Sequence, residues 1–331
     1  MDPLDLVAFA RALIDIDSTT GREGAAGEWL GDRLRSLGYD VTEQAIGRGC
    51  SNVLATLDPP QAVLSTHFDC VPPFIPSAVR DGRLYGRGSC DAKGILAAQL
   101  AAAERLRAAG ERRVGLLFVA GEERGSDGAL AANHIPNSSR FLVNGEPTDS
   151  RLAEGTRGVL RVKLEAEGRA SHSAAPEHGV SAIDKLLDAL IRLRALQLPQ
   201  DPALGRTFYS IGLIEGGVAP NVISAHAWAE VLFRTVGSAD ELLAIVRTLE
   251  PLVKVSEVLR VAPIRMHTVP GFETAVFPFT TDVPLLDRWG APLLFGPGSF
   301  LVAHTDEEHV RLDELHEAVT SYERLARQLL Q

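Results

Sequence analysis

Two apolar runs constrain the architecture of this chain more than any other feature. VGLLFVAG at 114–121 and RFLVN at 140–144 are nearly continuous stretches of apolar residues, without the alternation of a half-exposed strand. Strands of that composition belong in a sheet covered on both faces. Shorter β-rich runs, YDVTEQA, SNVLATL and AVLSTHF, precede them. Around these runs lie helical patterns. Residues 3–16 and 22–37 carry apolar side chains at helical spacing, with Gly38 as a stop, and an alanine-rich helix at about 93–109 is closed by Gly110. Helices alternating with buried strands predict an α/β sheet.

Near residue 156 the pattern changes. VLRVKLEAEG alternates as a half-exposed strand does, and a helix follows at 180–196. Strands at 207–214 and 226–235, a helix at 239–251 and a strand at 254–262 complete the order β-α-β-β-α-β, the ferredoxin-like pattern. Residues 265–331 return to α/β character, with LLFGPGS as strand and turn and LDELHEAVTSYERLARQLL as a closing amphipathic helix. A chain of 331 residues exceeds what one core usually organises. The expectation is a first domain of 1–155 and 265–331, interrupted by an inserted α+β domain of 156–264.

Charge and cysteine content narrow the function classes. With 33 basic and 43 acidic residues, a net charge of −10 and no basic block, a nucleic-acid surface is not expected. No apolar run is long enough to span a membrane. The N-terminal segment, interrupted by Asp5, Arg11 and Asp15, lacks the pattern of a secretory leader, and Cys50, Cys70 and Cys90 read as free thiols of a reducing compartment. A cytoplasmic protein acting on a small molecule is expected.

Five polar clusters sit where apolar strands end. His67 and Asp69, in STHFDC, are two apart and so face the same side of an extended chain. They suit a zinc-binding imidazole with its orienting carboxylate, or simply a polar pair at a strand end. Asp91, in GRGSCDAKG, precedes a helix and is either its N-cap or a carboxylate bridging two cations, and Lys93 reads as a solvated first-turn residue. AGEERGSDG offers Glu122 and Glu123 just after the most apolar strand, as a solvated acidic turn or as one metal ligand beside one free proton carrier. NGEPT supplies Glu146, and GPGSFLVAHTDEEH supplies His304, whereas His309 and His316 read as surface residues of the last helix. Mixed histidine and carboxylate ligands suit zinc, cobalt or manganese. Ends of buried α/β strands are where ligands bind.

In this order the clusters resemble the dinuclear zinc amidohydrolase and peptidase family, which includes acetylornithine deacetylase, succinyl-diaminopimelate desuccinylase, acetyl-lysine deacetylase, aminoacylase and glutamate carboxypeptidase. The resemblance implies a zinc-peptidase-like catalytic domain with a mostly parallel sheet, two divalent ions and an inserted lid and dimerisation domain. Carried over by motif, it implies that His67 and Glu146 hold one metal and Glu123 and His304 the other, with Asp91 between them. Glu122 matches the general base and Asp69 the residue orienting His67. In the insertion, ASHSAAPE places His172 at a substrate carbonyl, and GGVAPNVIS with FRT places Asn221 and Arg234 at the substrate.

Glu146 stands where the aminopeptidase and carboxypeptidase branches tend to carry Asp, and GPGS with AHTDEEH is most similar to the acetylornithine and acetyl-lysine deacetylases. Cys70 and Cys90 depart from the family at motif positions, and the chain is shorter than most members. The resemblance therefore implies a homodimeric deacylase of an N-acyl amino acid. The alternatives are a dipeptidase or carboxypeptidase of the same fold, and a non-catalytic ligand-binding protein.

Overall fold

The structure is a computed structural model that describes residues 4–47 and 49–331. It divides into two compact units. One comprises the chain up to Glu154 with Met266–Ala275 and Thr281–Gln331, and the other comprises Gly155–Arg265 with Val276–Thr280. The return at residue 265 is thus less clean than the sequence suggests. Residues 276–280 belong to the second unit, where the Arg157 N–H donates to the Phe277 carbonyl at 3.0 Å.

The first unit is built on a six-stranded sheet in the order Asp40–Gly47, Cys50–Thr56, Val114–Val119, Ala62–His67, Phe141–Asn144, Ala291–Leu294. The last four strands run parallel and the first two are antiparallel additions at one edge, so the sheet is mixed. The strands Ala62–His67 and Val114–Val119 are buried at every residue, as their composition requires. Each fully buried Val, Leu or Phe contributes about 1.5–3 kcal/mol. Helices Leu6–Ile14, Gly24–Ser36, Lys93–Ala108 and Leu312–Leu329 add apolar faces to the core. The first helix was expected from residue 3, which lies outside the described residues. Its cap is Asp5, whose side chain accepts the Ala8 N–H.

Parallel strands place all their C-terminal ends on one edge. His67 pairs with Val119, Ser65 with Asn144, and Asn144 with Leu294, so the segments after these strands start side by side. That register, rather than any local preference, gathers the polar clusters of the sequence.

Two readings of local detail are corrected. Asp91 is not a helix cap: Ala92 occupies that position and no side chain caps the helix, because the Asp91 carboxylate is turned to two histidines. Nor is Lys93 solvated. It is 1% exposed, and its ammonium donates to the carbonyls of Leu13 and Ile16 at 3.1 and 2.8 Å. His309 lies in a short strand, His309–Arg311, ahead of the last helix and is half-buried, whereas His316 is an exposed helix residue.

In the second unit, strands Gly158–Glu167, Phe208–Gly216, His226–Thr235 and Lys254–Val261 form one antiparallel sheet. Counting these strands in chain order, the sheet order is 2-3-1-4. Helices Ala182–Ala195 and Ala239–Arg247 are started by Ser181 and Ser238, whose hydroxyls accept main-chain N–H groups, and they pack on one face of the sheet. The second of these helices ends four residues before the expected 251, at Arg247. No helix among the described residues is long and apolar enough to cross a membrane.

Candidate metal centre

Every polar cluster of the first unit converges on the C-terminal edge of the parallel strands. His67 closes its strand and is buried. Its Nε2 lies 3.0 Å from Asp91 Oδ1. Glu146 follows the strand Phe141–Asn144 after one glycine, and Gly145 is locked between the Ser65 carbonyl and the Thr66 hydroxyl at 2.7 Å each. Glu122 and Glu123 begin a single 3₁₀ turn after Gly121, whose φ of 81° a glycine adopts without the clash of a Cβ. His304 comes from the loop after Ala291–Leu294, and its Nε2 lies 3.0 Å from Glu123 Oε1 and 3.3 Å from Asp91 Oδ2. Its own φ is 63°, a left-handed conformation uncommon outside glycine.

The ligating atoms form two overlapping groups. His67, Asp91 and Glu146 offer atoms within 4.8 Å of one another, and so do Asp91, Glu123 and His304. Asp91 is common to both. These five residues are the ones the resemblance names.

Asp69 does more than orient a histidine. The nearest acceptor for His67 Nδ1 is the Asp69 main-chain carbonyl at 3.0 Å, with the carboxylate further away at 3.5 Å. The carboxylate instead accepts the N–H groups of Glu122 and Glu123, each at 3.1 Å. The reason is local: Asp69 lies beyond the strand's end, so strict alternation no longer sets where its side chain points.

The electrostatics are those of crowded acids. Burial pushes the carboxyls of Glu122 and Glu146 well above the usual carboxylate range; neighbouring acids add to this and His67 opposes it. Burial also pushes the Asp91 carboxyl up, but the imidazoles of His304 and His67 outweigh it and hold the group low. Burial would lower His67, yet Asp69 and Asp91 raise it well above the usual imidazole value. Hydrogen bonds to Asp91 and Glu123 raise His304 to about 10. Glu146 Oε1 is buried without a hydrogen-bond partner, a costly state for a carboxylate unless a cation meets it. The donor set of imidazoles and carboxylates therefore fits divalent transition metals.

Three residues of this centre escaped the sequence reading. Asp282 is 1% exposed, bonded to the Ser126 side chain, and pushed up to about 6 by burial. It follows no apolar strand, and nothing in TTDVPLL sets it apart. Arg87 and Glu308 are 2% and 1% exposed and paired at 2.6 Å behind Asp91. Glu308 sits among Asp306 and Glu307, so no sequence pattern separates the buried acid from the exposed ones.

In the second unit, Ser171–His172 pairs with Val222–Ile223, which brings His172 beside Asn221. The Asn221 carbonyl accepts the Ser173 N–H at 3.0 Å. Both His172 and Asn221 are exposed. Arg234 lies near the end of its strand between Phe208 and Val159, half-buried, and no contact among the described residues places it beside the other two. Burial lowers its guanidinium, with no acid paired to it among the described residues. All three cysteines are buried and free, and burial pushes the thiols of Cys50 and Cys70 up to about 12.

Comparison with known proteins gives a consistent picture. The model of peptidase family M20/M25/M40 matches residues 63–328. A probable carboxypeptidase of Aspergillus clavatus is 37% identical over 98% of this chain and 83% of its own length. A tripeptidase from Staphylococcus aureus has the same fold, with a TM-score of 0.82 at 21% identity, covering 98% of each chain. A dinuclear metal-binding M20 peptidase from Bacillus subtilis superposes with a TM-score of 0.74 at 15% identity, covering 98% of this chain and 97% of its own.

Proposed function

Because the chain belongs to peptidase family M20/M25/M40, a family of hydrolases, we propose that it is a two-metal peptidase of the carboxypeptidase type. The single observation that carries the metal reading is the pair of ligand groups sharing Asp91. The name of the Aspergillus relative favours a carboxypeptidase over the N-acyl amino acid deacylase that the AHTDEEH motif suggested.

In this reading His67 and Glu146 would hold one divalent ion, Glu123 and His304 the other, and Asp91 would serve both; zinc is the first candidate, with cobalt and manganese as alternatives. Such ions, when bound, supply Lewis acidity and lower the pKa of water towards about 7. The chain's own residues do the rest. Glu122 belongs to neither ligand group but feels the charges of His67, Asp91 and Glu123, so we assign its carboxylate to take the proton as the water oxygen adds to the peptide carbonyl. As the C–N bond breaks, Glu122 returns that proton to the leaving nitrogen. Asp69 fixes the backbone of Glu122 and Glu123 and the ring of His67, so base and ligands keep one geometry. For the substrate side we assign His172 to the carbonyl oxygen, Asn221 to a hydrogen bond and Arg234 to the terminal carboxylate, on the resemblance. That no acid among the described residues pairs with the half-buried guanidinium of Arg234 supports this assignment.

The experiment is a substrate panel on zinc- or cobalt-loaded protein: N-blocked dipeptides with a free C-terminal carboxylate, their C-terminal amides, N-free dipeptides and N-acetyl amino acids. Turnover of the blocked free acids and not of the amides is expected. Turnover confined to N-acetyl amino acids would return the assignment to the deacylase.

We further propose that the second unit is the ferredoxin-like lid and dimerisation domain. Its helix and edge strand leave Leu187, Ile191, Leu213 and Ile214 exposed, which suits a second copy of the chain. Sedimentation of Ile191→Lys as a dimer, like the unaltered protein, would count against that face.

A further inference from the structure

Behind the candidate metal centre lies a buried ion pair that no step of the proposed reaction uses. Glu308 Oε2 meets Arg87 Nη1 at 2.6 Å, and Glu308 Oε1 accepts the main-chain N–H groups of Gly88, Cys90 and Asp91 at 2.9, 3.1 and 3.1 Å. Arg87 in turn donates to the carbonyls of Thr305 and Pro73, both at 3.2 Å, and the Gly86 N–H donates to the Glu308 carbonyl at 3.2 Å. The contacts are reciprocal. An acid from the His304 loop holds the backbone of the Asp91 loop, and a base from the Asp91 loop holds the backbone of the His304 loop.

A buried ion pair is poor evidence for stability, since a well-packed apolar pair of similar volume is often as good or better. This pair is placed where position matters. Glu308 grips the N–H of Asp91 itself. Arg87 holds the carbonyl of Thr305, the neighbour of His304, whose left-handed backbone is unfavourable for a side chain with a Cβ. His304 is half exposed and has little packing of its own to keep it there. By contrast, His67 and Glu146 are buried at or just beyond the ends of strands held by the sheet ladder.

We propose that Arg87 and Glu308 form a clasp that positions the Asp91–Glu123–His304 group for a divalent cation, so that cation affinity there depends on two residues that do not touch the cation. The proposal rests on the two-metal reading. The clasp matters least for the cation held by His67 and Glu146, because the sheet positions those two ligands.

The test is titration of metal-free protein with cobalt(II), followed by calorimetry and by the visible absorption of the bound ion. The unaltered chain should take up two equivalents. In Glu308→Gln, an amide N–H₂ must face either Arg87 or the three backbone donors. One equivalent should weaken by about 10- to 100-fold, the range for residues that support metal ligands. The other, which shares only Asp91 with the clasp, should weaken less. Arg87→Met combined with Glu308→Leu removes both buried charges and should give the same split. Arg87→Lys keeps the charge without the planar fork; it should weaken the same equivalent less, and it decides the matter if the double variant does not fold. Two unweakened equivalents in the folded variants would overturn the clasp, as would equal weakening of both, which marks general loosening. Fewer than two equivalents in the unaltered chain would overturn the two-metal reading and the clasp with it.

Discussion

Asp69 and Glu122 are joined through the main chain: Asp69 Oδ1 accepts the Glu122 N–H at 3.1 Å, while Oδ2 takes that of Glu123 at the same distance. The Asp69 carbonyl also receives His67 Nδ1. One residue therefore sets the ring of a candidate ligand and the backbone of the candidate base. In Asp69→Asn one oxygen becomes a donor facing another donor. A fall in kcat of about 10- to 100-fold is expected, the usual effect of losing such support. Steady-state kinetics with metal analysis of the same sample checks it, and unchanged kcat would leave Asp69 a merely structural residue.

Glu122→Gln keeps the size of the side chain and removes its basicity. Turnover should fall by about 10²- to 10⁴-fold, the range of general acid–base catalysis, with metal content unchanged. Loss of metal along with activity would instead make Glu122 a ligand.

Metal uptake should release protons. His304 is raised to about 10 by Asp91 and Glu123, so at pH 7 it is protonated in the metal-free protein and must be neutral to ligate. The same shift works on stability. A histidine raised above 6.5 contributes stabilisation that is complete below that pH and is lost as pH rises through about 10. Calorimetry at pH 7 in buffers of different ionisation enthalpy measures the release; identical heats in all buffers would contradict it.

Asp282 offers a test in the metal-free protein with the opposite consequence. Burial raises this carboxyl from 3.8 to about 6, so the folded state holds its proton more tightly than the unfolded one. Its ionisation therefore lowers stability as pH rises through that window. Asp282→Asn should have a higher thermal midpoint than the unaltered chain at pH 8, and the advantage should disappear below pH 3.8. A difference independent of pH would show that Asp282 acts by shape alone.

Arg234→Met bears on the choice between substrates. A hydrogen bond to a charged group contributes about 1.5–3 kcal/mol, so KM for peptides with a free terminal carboxylate should rise roughly 10- to 100-fold. Little change in kcat is expected. An unaltered KM would remove Arg234 from carboxylate binding.

Several features were legible in the sequence for specific physical reasons. Buried parallel strands must be apolar along their length, which made Val114–Val119 and Phe141–Asn144 visible. Polar residues close to such runs, or in the case of Asp91 just ahead of a helix, were conspicuous, and His67, Asp91, Glu123, Glu146 and His304 lie in two groups that could hold a metal ion. Lys93 was misread because its burial depends on the carbonyls of Leu13 and Ile16, which lie 80 and 77 residues away in the sequence.

The sequence by itself determined the strand and helix pattern and which polar residues end the strands, because periodicity and composition are local. Only the tertiary structure decided the rest. Parallel register set the ends side by side, and loops remote in sequence met behind them. That is how Asp69 came to hold the glutamate turn, and how Glu308, indistinguishable by sequence from Asp306 and Glu307, became the acid buried against Arg87.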